Sequence, residues 1–139
     1  MPRALLLLAV LAALAAPAAD GAAEGAGFDQ GFKTPSGNIV CAAGGGFVRC
    51  DIRSGVRPLP RRPRSCDVDW GQGVQMSRRG RASVVCAGDT TLGVVVPVLR
   101  YGRTWRRGGI TCTSRSSGLT CTNQSGRGFF LSRARTRLF

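Results

Sequence analysis

From Tyr101 to Arg107 the sequence reads Tyr-Gly-Arg-Thr-Trp-Arg-Arg, two aromatic rings interleaved with three guanidinium groups. The faces of Tyr101 and Trp105 can stack on sugars or bases. The planar forks of Arg103, Arg106 and Arg107 match the oxygens of phosphate or carboxylate. Arg78, Arg79 and Arg81 make a second cationic cluster. Together these residues form the expected binding set, and an anion is what they would bind. In a small domain, however, Trp and Tyr serve the core more often than they serve a ligand platform.

Catalysis has fewer parts available. The chain has no histidine to act as a base or metal ligand near neutral pH. The candidate carboxylates are Asp51, Asp67, Asp69 and Asp89, with the lone glutamate, Glu24, near the N-terminus. Asp67 and Asp69 straddle Val68, so on a strand they would share a face, as an acid/base pair for glycoside cleavage would need. A short carboxylate beside a disulfide or in a turn more commonly caps backbone N–H groups or pairs with an arginine. The chain therefore reads as a protein that is not an enzyme, with no cofactor.

Six cysteines, Cys41, Cys50, Cys66, Cys86, Cys112 and Cys121, read as a disulfide framework. With no C-x2-C pair and no imidazole, a zinc site is not expected. The spacing of the cysteines also reports strands. Ile39, Val48, Val84, Ile110 and Leu119 each stand two positions before a cysteine. Residues two apart share one face of a strand, so the sulfurs should point inward with the core.

A weak internal repeat sharpens this reading. Gly37-Asn38-Ile39-Val40-Cys41 and Gly109-Ile110-Thr111-Cys112 each precede a second cysteine nine positions on, with Gly44-Gly45-Gly46 or Ser116-Ser117-Gly118 between. Both look like β-hairpins. If Cys41 faces Cys50, then Ile39 faces Ile52 and Ala43 faces Val48 on the same side. Directly opposed residues of a non-hydrogen-bonded antiparallel pair lie close enough to bridge. The spacing thus predicts Cys41–Cys50 and Cys112–Cys121, leaving Cys66–Cys86. Other pairings of six cysteines stay formally open.

Thr34-Pro35-Ser36-Gly37 carries Pro and Gly where a β-turn wants them. Pro58, Pro60 and Pro63 put the Arg57–Arg64 stretch on an extended or loop path rather than in a central strand. Leu92–Leu99 reads as a buried strand interrupted near an edge by Pro97, Gly128–Leu131 as the last strand, and Leu138-Phe139 as tucked back onto the core. The Tyr101–Arg107 stretch looks like a loop before the second hairpin. No segment has convincing helical periodicity. The fold class expected is all-β: a small, disulfide-stapled antiparallel domain, barrel-like or sandwich, with two hairpins each bridged by a C-x8-C disulfide.

At the N-terminus, Arg3 is followed by an apolar run from Ala4 to Ala16, then Pro17 and small residues. This is the pattern of a cleaved secretory signal peptide, too short to span a bilayer, with cleavage expected after Ala18. The organisation expected is a signal peptide at 1–18, a flexible Gly/Ala tether at 19–27, a β domain at 28–139, and no transmembrane span in the mature chain. Losing Arg3 leaves 19 basic residues against 7 acidic ones, near +12, and every basic residue except Lys33 is arginine. Such a surface is drawn to polyanions, although an Ala/Gly/Arg/Pro-rich composition also produces charge without a site.

Beyond composition, the segments Phe32–Cys41, Arg49–Ile52, Cys66–Gly71, Cys86–Thr90, Leu99–Gly102, Leu119–Asn123 and Gly128–Arg133 together resemble a bacterial secreted family catalogued as a domain of unknown function, number 6636. The resemblance covers nearly the whole mature chain and implies no activity. Family members often have Gly-His-Gly-Phe where this chain has Gly126-Arg127-Gly128-Phe129.

The reading reached is a secreted, extracellular or periplasmic, non-catalytic binding module. Its expected partner is an anionic envelope polymer or lipid surface, engaged through the arginine clusters. The alternative is a protein partner, as for a secreted inhibitor of a hydrolase comparable to barrel-type lysozyme inhibitors. Like charge counts against that second reading, since lysozymes are commonly basic. Without an RNP, KH or zinc-finger pattern, specific nucleic-acid recognition is not expected. Nothing in the sequence sets an oligomeric state.

Overall fold

The computed structural model describes residues 30–139. The expected signal peptide 1–18, the expected tether 19–27 and the first two residues of the expected domain lie outside the described residues. The rest is all-β. β1 (Gln30–Lys33), β2 (Ile39–Gly44), β3 (Phe47–Ile52), β4 (Trp70–Ser77) and β5 (Ser83–Cys86) form one antiparallel sheet in that order. β6 (Thr104–Arg107), β7 (Ile110–Arg115), β8 (Gly118–Thr122), β9 (Gly128–Leu131) and β10 (Thr136–Leu138) form a second, again in chain order. Of the two architectures expected, the sandwich is the one formed.

The cysteine alternation sets the register. Cys41 lies opposite Cys50, with Ile39 opposite Ile52 and Ala43 opposite Val48, and Cys112 lies opposite Cys121. Both pairs are bridged, with Cα atoms 4.0 Å apart in each, the close spacing of a non-hydrogen-bonded pair. Cys66–Cys86 is the third bridge. The inward faces of the two hairpins meet in one core that contains Val48, Val74, Ile110, Leu119, Phe129 and Leu131. Each such fully buried side chain contributes about 1.5–3 kcal/mol. At one open side the Phe32 ring of β1 lies 5.3 Å from that of Trp105 on β6, closing the sheets together.

The structure corrects four expectations. Cys66 is buried but Cys86 is exposed. A register shift between Trp70 and Val74 carries the end of β5 off the core, so Val84 packs inward while the cysteine two positions on reaches the surface. The Tyr101–Arg107 stretch is not all loop, because Thr104–Arg107 pairs with β7 as an edge strand. Gly128–Leu131 is not the last strand, because β10 pairs with it and leaves Leu138 and Phe139 exposed at the sheet edge.

Leu92–Leu99 is not a strand either. Its only ladder contact is a single bridge between Val98 and Lys33, and Val95 is 98% exposed. The segment is the end of a strap that crosses the outer face of the first sheet, where Thr91 Oγ1 donates to the Val40 carbonyl at 2.7 Å. Pro97 lacks the N–H that a continuous ladder needs.

Candidate anion-binding site

Successive hairpin turns alternate between the two ends of an antiparallel sandwich. The β2–β3, β4–β5, β6–β7 and β8–β9 connections therefore share one end. Two of these turns touch backbone to backbone. A Cβ placed on Gly108 would come within 2.9 Å of the Gly46 Cα, and one on Gly46 within 2.9 Å of the Arg78 Nε. Only glycine fits at these two contacts, and both hold positive φ, +75° at Gly46 and +58° at Gly108. The Arg78 N–H also donates to the Gly46 carbonyl at 2.7 Å.

Asn123 joins the remaining turn. Its side-chain amide donates to the carbonyls of Ser77 at 2.9 Å and Gly80 at 2.8 Å. Its oxygen accepts from the N–H groups of Ser125 and Arg127. Gln124 N–H donates to the Arg78 carbonyl at 3.0 Å. Arg78, Arg79 and Arg81 on the β4–β5 turn are thereby brought to the same end as Arg106 and Arg107 at the end of β6 and Arg127 on the β8–β9 loop.

All six side chains are exposed, and no aspartate or glutamate occurs in any of the four turns. Among the described residues only Arg49 forms ion pairs. Unpaired guanidinium groups held together raise the local positive potential and concentrate anions there. Their forks suit phosphate or carboxylate oxygens.

The expected Tyr101–Arg107 unit is divided. Tyr101 and Arg103 lie at the opposite end, fixed by hydrogen bonds from Gly102 N–H to the Ser114 carbonyl and from Ser114 N–H to the Arg103 carbonyl. Trp105 turns toward the core beside Phe32, the structural role that the sequence weighed against a ligand platform. Of that unit, Arg106 and Arg107, next to the β6–β7 turn, lie at the end that carries Arg78. Arg127 and the Asn123 clamp joined no predicted site, and their sole sequence signal was the Asn/Gly/Arg character of the β8–β9 loop.

The family described as a family of unknown function, DUF6636, matches residues 6–139. The chain belongs to this family. No curated protein and no solved structure matches this DUF6636 chain.

Among the described residues, the aspartates of the DUF6636 domain lie away from the cationic end. Asp51, fully buried, accepts from Arg49 Nε and Nη2, from Thr90 Oγ1 and from the Thr91 N–H, at 2.8–3.0 Å. Arg49 also reaches Asp89 at 2.7 Å, anchoring the strap. Gly73 leaves room for this, since a Cβ there would come within 2.6 Å of Asp51 Oδ1. Burial pushes the Arg49 pKa down, but the hydrogen bonds it donates to Asp51 and Asp89, together with their negative charge, outweigh this and raise the net value. The Arg49 hydrogen bond and charge hold the Asp89 carboxyl below its usual range. This network binds the protein to itself, not to a ligand. Asp67 and Asp69 remain exposed beside Cys66 and form no ion pair.

Proposed function

We propose that this DUF6636 protein is an exported, non-catalytic binding module that takes an anionic polymer of the cell envelope or its surroundings across the four-turn end. The reading rests on one observation: two arginine clusters far apart in sequence, joined by Arg127, converge on an end whose four turns hold no aspartate or glutamate. Export is inferred from the signal-like N-terminus and from three disulfides, which persist in oxidising compartments. Among the described residues, no helix is long and apolar enough to cross a membrane.

Ionic strength tests the proposal. Binding to a polyphosphate or a teichoic-acid fraction is followed as salt rises through the range where the Debye length shrinks from about 30 Å to about 8 Å. Affinity should fall steeply, because each neutralised phosphate releases counterions. Affinity that is flat with salt, or tight capture of a hydrolase instead, would reject the polymer reading.

A further inference from the structure

The opposite end holds a different feature, a cavity of 390 Å³ where the β1–β2, β7–β8 and β9–β10 turns meet the Tyr101 turn. Ser116, Ser117 and Arg115 line it from the β7–β8 turn and Arg133 from the β9–β10 turn, and among the described residues neither arginine forms an ion pair. Tyr101 presents a half-exposed ring at its wall. Among the described residues, no carboxylate lines it.

Asn38 supplies the second observation. The residue is only 8% exposed, yet it lines this cavity, and among the described residues its side-chain amide makes no hydrogen bond. An amide that meets solvent there can exchange water for the hydroxyls of a ligand, accepting through Oδ1 and donating through Nδ2.

The geometry points to a site for a single hydroxylated anion, a sugar carrying a carboxylate or phosphate. Arg115 and Arg133 take the anionic group, Asn38, Ser116 and Ser117 take hydroxyls, and the Tyr101 ring faces the sugar ring. The volume lies near the lower end of the roughly 300–1,000 Å³ range of small-molecule pockets, so the site admits one sugar rather than a chain laid lengthwise. It shares no residue with the four-turn end, and the two sites stand or fall separately.

The test is amide-shift titration of the oxidised protein with glucuronate, glucose 1-phosphate and glucose. Glucuronate or glucose 1-phosphate should shift Asn38, Ser116 and Ser117 saturably, with affinity of about millimolar for so few atoms. Neutral glucose should bind at least tenfold more weakly. The R115Q/R133Q protein, changed only at exposed positions, should keep its melting temperature and lose the response at least tenfold, whereas R78Q/R79Q/R81Q keeps it. A glucuronate-ended oligosaccharide separates the two sources of this chemistry. If it binds like the monomer the ligand is a polymer end, and if only the monomer binds the ligand is a free sugar acid; the site is upheld either way. Equal shifts by glucose, an unchanged response in R115Q/R133Q, or no shift with either anion would overturn the assignment.

Discussion

In the first sheet a disulfide joins Cys41 to Cys50 at the centre of the β2–β3 hairpin, and in the second an identically spaced pair, Cys112 and Cys121, sits at the centre of β7–β8. From that shared device the two sheets diverge in charge. The first carries Arg49 buried against Asp51 and Asp89, with Asp67 and Asp69 on its connecting loop. Residues 90–139, which build the second, hold nine arginines and no aspartate or glutamate. Paired charge holds a strap in place on one sheet. On the other the arginines face solvent and, among the described residues, form no ion pair, as is also true of Arg78, Arg79 and Arg81 on the β4–β5 turn of the first.

The largest effect that could break this contrast is loss of the Asp51 carboxylate. D51A leaves Arg49 buried without its main partner and should cost about 3–5 kcal/mol in urea unfolding. A loss within experimental error would mean that the network does not hold the first sheet together. The bridges come next. Cys41–Cys50 and Cys112–Cys121 close loops of equal length, so C41A/C50A and C112A/C121A should each cost about 2–4 kcal/mol and the two should agree closely. A marked inequality would show that the hairpins are not equivalent despite their register.

Charge removal on the second sheet should behave in the opposite sense to D51A. R106Q/R107Q removes exposed groups with no ion pair, and melting should move by no more than about 0.5 kcal/mol. Smallest is the acid response of Asp89. Arg49 holds its carboxyl below the usual range, so in the folded state it protonates at lower pH than when unfolded. The stability it contributes is present above the ordinary aspartate value of about 3.9 and is lost as pH falls through the lowered folded value. Urea midpoints from pH 6 to 3 should show wild type slightly above D89N at the upper end and converging with it at the lower. A gap that stays constant across that range would place the effect elsewhere.

The strand-level account was readable because period two is a strict rule. An apolar residue two before a cysteine puts both on one face, and that predicted the register at Cys41, Cys50, Cys112 and Cys121. It failed at Cys86, where a register shift on the neighbouring strand broke the alternation. Leu92–Leu99 misled because an apolar run signals burial rather than pairing, and as a strap it buries Val96 while exposing Val95. The convergence of Arg78, Arg107 and Arg127 was invisible in sequence, since it depends on which turns share an end. Tyr101 and Arg107 looked adjacent, yet the β6 strand carries them to opposite ends.

The central claim is that position, not total charge, makes the four-turn end bind. Two variants with equal charge removed decide it: R78Q/R79Q/R81Q at that end, and R61Q/R62Q/R64Q on the proline-rich loop. Polyphosphate affinity at fixed low salt should fall at least tenfold in the first and less than threefold in the second, with the salt slope shallower only in the first. Equal losses in both would contradict the account, leaving net charge as the whole of the attraction.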